Sequence, residues 1–324
     1  MRKGTKKGMK TGAFVFLCIV VFIVTFVTSI VIKISYKSPE MQQYSVQWSD
    51  EIGTVRTDLT YGEKPANEFD LYLPVDDSKE SYGLVVYLHA GGFTTGDKSD
   101  DKEILQWLCS KGYVAAGINY TLRDDAHPEA SVLSQSNEIK ESIPFVIEEA
   151  RKLGYNIDRM ATAGGSAGGC LALIYAYRDA SSSPVPVMMA FEGVGPTSFY
   201  PEDWKCYGFD QNAEAAAEMF SVMTGKEVTA EMFGTAEYDE LVKDASALLW
   251  VNEDTVPTVM AYGQHDKFQP YEGSVRLDKA LTENGVPHEY IVLPHSGHGL
   301  QNDNRLYAEY MAKVEEYLNK YMSE

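Results

Sequence analysis

Cysteine is scarce, with four in 324 residues, and positive charge is short, with 28 Lys and Arg against 47 Asp and Glu. Cys18 falls in an apolar N-terminal run, so Cys109, Cys170 and Cys206 remain, an odd number from which no disulfide framework or metal-ligand spacing can be drawn. Cys109 sits in an apolar helical stretch and Cys170 just after a glycine-rich turn, so both read as buried thiols acting as small hydrophobes. No metal or cofactor is expected. Residues 1–37 hold seven of the basic residues and no acidic one, so residues 38–324 carry 21 basic against 47 acidic side chains. A chain this acidic repels nucleic acid and anionic lipid surfaces, which excludes those partners and says nothing about fold. The charge itself reads as a solvated acidic surface.

A long apolar run is present, once. Residues 13–32 are 20 consecutive residues without a charge, and at about 1.5 Å per residue they extend about 30 Å, the thickness of a bilayer's hydrocarbon. Arg2, Lys3, Lys6, Lys7 and Lys10 precede the run, which by the positive-inside rule keeps the short N-terminus in the cytoplasm. The run is longer than the apolar region of a cleaved signal peptide, and no small-x-small site follows it. The expectation is a basic cytoplasmic N-terminus at 1–11, a single-pass signal anchor in the cell membrane at 12–34, a stalk at 35–49 and an extracytoplasmic catalytic domain at 50–324.

Beyond the stalk, 44% hydrophobic content is that of a globular protein. Residues 53–61 and 68–73 read as an opening antiparallel pair split by a Gly-Glu-Lys-Pro turn. The pattern then changes to apolar strands alternating with helices. Strands are expected at 84–88, 113–120, 160–163, 187–191, 258–262 and 289–293, and helices at 102–111, 137–153, 271–284 and 304–321. That alternation predicts an α/β fold, a mostly parallel eight-stranded sheet covered by helices on both faces. In such a sheet the site lies beyond the carboxyl ends of the strands.

What lies there is reactive. The strand at 160–163 runs into Gly164-Gly165-Ser166-Ala167-Gly168, the G-x-S-x-G turn that holds a serine up between strand and helix. A serine hydroxyl is a weak nucleophile until a neighbouring imidazole, with a pKa of about 6.5, takes its proton. His298, in the His-Ser-Gly-His-Gly loop after the last strand, is the expected base, its glycines letting the loop bend; His295 and His265 are rivals. His265, His127 and His288 otherwise read as surface or hydrogen-bonding residues. Asp266, directly after the penultimate strand, is the expected acid, with Glu192 and Asp303 as weaker candidates. Ser166, Asp266 and His298 stand in the chain order nucleophile, acid, base. The tetrahedral oxyanion needs preset amide donors; Ala167 after the serine, and Gly91 and Gly92 after the strand at 84–88, can supply them.

His-Ala-Gly-Gly-Phe at 89–93, the stretch YVAAGINYTLRDDAHPEA, the GGSAGG elbow and the GQHD and HSGHG loops together resemble, over about residues 50–322, the α/β-hydrolase esterases of the hormone-sensitive-lipase-like type. That resemblance implies an α/β-hydrolase fold, with Ser166 as nucleophile, Asp266 as acid, His298 as base and Gly91, Gly92 and Ala167 as oxyanion donors. Two positions depart from the family: Ala90 replaces the first glycine of the usual triplet, and Gly165 stands where many members have an acidic residue. If residue 90 needed a positive φ, the oxyanion loop would be displaced. Residues 196–245 break the alternation and read as a small helical cap carrying Trp204, Tyr207, Phe209, Met219, Phe220, Met223, Met232 and Phe233. Most of these are expected to form the cap's own core, the rest an acyl or alcohol pocket. The activity expected is hydrolysis of carboxylic esters with short to medium acyl groups, acetylated glycans among them. The alternatives are an amidase or peptidase using the same residues, or a non-catalytic hydrolase-like binding ectodomain.

Overall fold

A computed structural model describes residues 14–29 and 39–323, in two compact units divided between Gln43 and Tyr44. In the first unit, residues 14–29 form helix α1, with Phe14, Phe16, Phe22 and Phe26 exposed, and Pro39–Gln42 form the single turn α2. Among the described residues no helix is long and apolar enough to cross a membrane. The basic N-terminus at 1–11, residues 12–13 and 30–34 of the expected anchor, and stalk residues 35–38 lie outside the described residues.

The second unit begins inside the expected stalk. Tyr44 sets its ring edge-on to Trp107 at 5.8 Å and donates to the Ala308 carbonyl at 3.2 Å, and Trp48 packs on Tyr72. Two aromatic side chains in an otherwise polar stretch thus find apolar partners on the domain.

Eight strands form one sheet: β1 Gly53–Thr60, β2 Glu68–Pro74, β3 Tyr82–Leu88, β4 Val114–Ile118, β5 Ile157–Gly165, β6 Val187–Gly193, β7 Thr258–Gly263 and β8 His288–Leu293. Their spatial order is β1-β2-β4-β3-β5-β6-β7-β8. Both pairings of β2 are antiparallel and the remaining five are parallel, so β2 alone runs against the others. Every residue of β4 and β7 is buried, the reason these strands read as unbroken apolar runs. The helices are α3 Lys102–Ser110, α4 Val132–Lys152, α5 Ala167–Ile174, α6 Ala213–Thr224, α7 Ala236–Val242, α8 Tyr271–Glu283 and α9 Asn304–Tyr321. Helix α6, α7 and several short 3-10 turns fill the long connection from β6 to β7.

Helix α4 starts five residues before the expected Asn137. Ser131 caps it, its hydroxyl accepting from Ser134 N while Ser134 Oγ accepts from Ser131 N. The first turn opens with Val132 and Leu133 but is followed by Ser-Gln-Ser-Asn, so the apolar period is not continuous there and the serine cap marks the start.

The strand order reverses between β3 and β5. The chain leaves β3 for β4 on one side and β5 for β6 on the other, so the loops after Leu88 and Gly165 part and leave a crevice at the strand ends.

Candidate active site

Ser166 occupies the junction of β5 and α5 with φ 53° and ψ −121°. An L-residue is strained there, and the surroundings must hold it. Ser166 N donates to the Gly193 carbonyl on β6 at 2.8 Å, and Cys170 N donates to the Ser166 carbonyl at 3.1 Å. The flanking glycines are needed for close approach: a β-carbon at Gly168 would run into the Leu88 carbonyl, and one at Gly164 into the backbone of Gly168. The result is a hydroxyl presented at the switch point of the sheet.

His298 and Asp266 meet that hydroxyl. His298 Nε2 lies 2.9 Å from Ser166 Oγ, and His298 Nδ1 lies 2.7 Å from Asp266 Oδ2. The second carboxylate oxygen accepts from Phe268 N at 2.8 Å and Gln269 N at 2.9 Å. With Asp266 Oδ2 accepting from an Nδ1–H, Nε2 is the nitrogen left to accept from the serine hydroxyl. The Asp266 side chain is 1% exposed and that of His298 28%, which places the carboxylate in the interior and the imidazole in the cavity wall. The loop glycines do not provide the bend. Gly297 and Gly299 keep ordinary φ, whereas Leu300 takes φ 52°. The required glycine is Gly263 at the end of β7, where a β-carbon would collide with the Gly297 carbonyl.

The rival residues are engaged elsewhere. His295 Nδ1 pairs with Asp303 Oδ1 at 2.7 Å, and Asp303 Oδ2 accepts from His295 N and Ser296 Oγ. His265 is exposed and donates its amide to Ser296 O; His127 bonds Asp124, and His288 bonds Asp278 and the Val286 carbonyl. Glu192 is fully buried and accepts from Gly195 N at 2.8 Å, without reaching His298. Burial pushes its carboxyl up to about 8.

Gly91, Gly92 and Phe93 have φ of 128°, 60° and 66°, and Ala90 does not adopt a positive φ. Alanine at 90 therefore costs this loop nothing in backbone strain. Thr94 N and Thr95 N both donate to the Gly91 carbonyl, which closes the loop on itself. His89 anchors it from below. Its ring stacks on Tyr120 at 4.3 Å and its Nδ1 bonds the Ala90 carbonyl at 2.7 Å; burial lowers its pKa, favouring the neutral ring.

These parts surround a cavity of about 550 Å³. Gly91, Gly92, Ser166, Ala167 and His298 form one side of its wall, and Trp204, Tyr207, Met219 and Met223 form the side supplied by the β6–β7 connection. Phe209, Phe220 and Phe233 instead pack on one another and on Tyr238, so they are interior to the cap. The expectation is that most of the eight form the cap's interior; four stand in the wall instead, and one of those, Trp204, also packs on Phe209 and Phe220.

A family model, BD-FAE, matches residues 69–281. The chain belongs to the BD-FAE family. This is a family of α/β-hydrolase esterases, so the esterase resemblance read from the sequence holds at that level. The match spans β2 to α8 and includes Ser166 and Asp266; His298 lies beyond it. Ethyl acetate hydrolase of Pseudomonas putida is 24% identical over 228 residues, 69% of this chain and 68% of that protein. Three other curated relatives, all esterases by name, are matched over only 24% to 32% of their own length. Esterase B from Lactobacillus rhamnosis superposes with a TM-score of 0.63 at 21% identity, covering 87% of this chain and 92% of that one. A truncated carbohydrate esterase from gut microbiota gives 0.63 at 18% identity, covering 85% and 99%. At such identities these two likenesses establish the α/β-hydrolase fold. This BD-FAE member is accordingly an enzyme of the carboxylic ester hydrolase class.

Several wall residues of the BD-FAE site were not foreseen, Phe268, Gln269 and Arg123 among them. Phe268 is 70% exposed at the rim, 5.6 Å from the His298 ring, Gln269 follows it, and Arg123 belongs to the same wall. Phe268 and Gln269 are fixed by the turn that also binds Asp266, so the Gln-His-Asp signal pointed to their loop without marking them. Arg123 sits in the YTLRDD stretch, where nothing in the local pattern distinguishes a cavity residue from a surface one.

Proposed function

We propose that this esterase hydrolyses carboxylic esters through an acyl-enzyme on Ser166, with His298 as general base and acid and Asp266 as the carboxylate that orients it. The observation that carries the reading is the continuous hydrogen-bonded path from Ser166 Oγ through His298 to Asp266, at 2.9 and 2.7 Å, opening on the cavity. Ser166 Oγ attacks the ester carbonyl carbon as its proton passes to His298 Nε2. The carbonyl electrons move to oxygen, and the amides of Gly91, Gly92 and Ala167 receive the resulting negative charge. Collapse breaks the carbon–oxygen bond to the alcohol, which leaves with the proton from His298. Water, deprotonated by His298, then attacks the acyl-enzyme, and its collapse returns the proton to Ser166 and frees the acid.

A cavity of about 550 Å³ supports short to medium acyl groups, and acetyl esters of glycans are candidate substrates because a structural neighbour is a carbohydrate esterase. The test is a p-nitrophenyl ester series, acetate through laurate, with the wild-type chain and Ser166→Ala. Turnover by the wild type that falls at least about 10⁴-fold in the variant is expected; equal activity of the two would end the assignment.

The proposal extends to location. Residues 12–34 act as an uncleaved signal anchor that leaves the enzyme outside the cytoplasmic membrane, on the strength of the uncharged run at 13–32 and the basic residues before it. The enzyme should sediment with membranes, release only with detergent, and be digested by protease added to whole protoplasts. A mature N-terminus near residue 38 would refute the anchor.

A further inference from the structure

Arg123 is the one Lys, Arg, Asp or Glu among the residues that line the Ser166 cavity, in a chain whose acidic residues outnumber its basic ones 47 to 28. Its state differs from that of the other half-buried arginines. Arg159, Arg178 and Arg276 each hold a carboxylate within 2.7 Å. Among the described residues, Arg123 meets a carbonyl instead: Nη1 donates to Ala130 O at 3.0 Å. The carboxylate next to it in sequence is committed to its own turn, since Asp124 Oδ1 accepts from Ala126 N, His127 N and the His127 ring. Glu129 and Glu227 line a shallower pocket on the outer side of Arg123, together with Lys226, without coming within ion-pair distance of it.

The guanidinium is held ready. Arg123 N donates to Phe93 O at 3.0 Å, tying its backbone to the loop that carries Gly91 and Gly92. Ala130 O, which fixes Nη1, belongs to the same cavity wall. One of five N–H donors is used there, and the planar fork remaining matches a carboxylate. The start of α4 reinforces the sign, because Ser131 and Val132 line this wall and the first turn of the helix holds no acidic residue. Ser166 and Arg123 line the same cavity of about 550 Å³, so a molecule that fills it from Ser166 meets the wall that holds Arg123.

Resting on the esterase reading above, we propose that Arg123 is a specificity-determining residue and that the preferred substrates are esters carrying a second, free carboxylate on the part of the molecule that fills the cavity. The net negative field of the protein opposes the approach of such substrates, so any preference for them originates in this local contact.

The test compares isosteric pairs on the full chain in detergent. In one pair the charge is on the acyl side, p-nitrophenyl hydrogen glutarate against p-nitrophenyl valerate. In the other it is on the alcohol side, 4-acetoxybenzoate against 4-acetoxybenzamide. In at least one pair the wild type should show kcat/KM at least about tenfold higher for the anion, and 0.5 M NaCl should shrink that ratio. Arg123→Gln should lower the ratio about tenfold or more, and Arg123→Lys, keeping charge without the fork, should lower it less. A structural role for Arg123 would move both members of a pair equally and leave the ratio where it was. Ratios at or below one in both wild-type pairs overturn the proposal, as does a ratio unchanged in Arg123→Gln; if that variant does not fold, the wild-type salt series and Arg123→Lys decide. Ser166-dependent turnover of the neutral esters without an anion preference defeats this inference alone, whereas no turnover of any ester defeats the esterase reading itself.

Discussion

Asp266 uses both of its oxygens, one for the His298 ring and one for two amides of the following turn. Replacing it with Asn keeps the shape but puts an NH₂ or a neutral carbonyl where the ring proton needs a charge. We expect Asp266→Asn to lower kcat by about 10³- to 10⁴-fold and stability by roughly 1–3 kcal/mol, since hydrogen bonds to a charged group are lost. Ester kinetics and urea unfolding of the same preparation check both, and a kcat loss below tenfold would mean that another carboxylate orients His298. The sequence order alone could not reject Glu192 or Asp303. Distance does, because Asp303 is consumed by His295 and Ser296, and Glu192 lies behind the elbow against Gly195.

At the scale of an element, the His298 loop is held by a residue outside it. Asp303, just before α9, takes a backbone amide, a ring and a hydroxyl from His295 and Ser296. Asp303→Ala should free that loop, lowering kcat/KM about tenfold with little change in KM and costing roughly 1 kcal/mol, chiefly from the buried Ser296 hydroxyl, since the His295 groups are exposed. A steady-state kcat and KM determination with a melting curve reads this directly; unchanged kinetics would show that β8 and Leu300 alone position the base. The elbow is less forgiving. A β-carbon at Gly168 meets the Leu88 carbonyl, part of the β3 end that precedes Gly91 and Gly92. Gly168→Ala should therefore reduce soluble yield, and the protein that does fold should lose activity through displaced amides rather than a missing nucleophile. Normal labelling by a fluorophosphonate with normal turnover would contradict this.

For the whole molecule, the buried carboxyls set the response to pH. Burial raises Glu192 from 4.5 to about 8, with the Tyr262 hydroxyl and Gly195 amide opposing, and burial raises Asp101 to about 7. A raised folded-state pKa means that the native chain holds protons the unfolded chain has released. The stabilisation is thus complete below about 4 and is lost as pH climbs to about 8. Glu192→Gln should flatten that fall, gaining up to about 3–5 kcal/mol over the parent at pH 9 relative to pH 4. Urea unfolding at the two pH values measures it, and parallel slopes in parent and variant would assign the loss to other groups. Part of the slope remains in the variant because Asp101 still titrates.

The amino-acid sequence by itself determined the strands whose burial is complete, since only apolar runs survive between covering helices. It also determined the elbow, because only glycine at 164 and 168 allows the strand and helix to approach that closely, and the order Ser166, Asp266, His298 along the chain. It was silent where a residue's meaning depends on what another element brings to it. The first turn of α4 is set by a serine cap rather than by apolar period. The split of the cap's aromatics between its own interior and the cavity wall depends on which face meets the sheet ends. Ala90 is harmless only because its φ stays ordinary while Gly91 and Gly92 take the turn. Which carboxylate lies against His298, and which of the half-buried arginines is left without one, are decided by tertiary structure, because charge pairing falls off over a few ångströms that sequence separation does not measure.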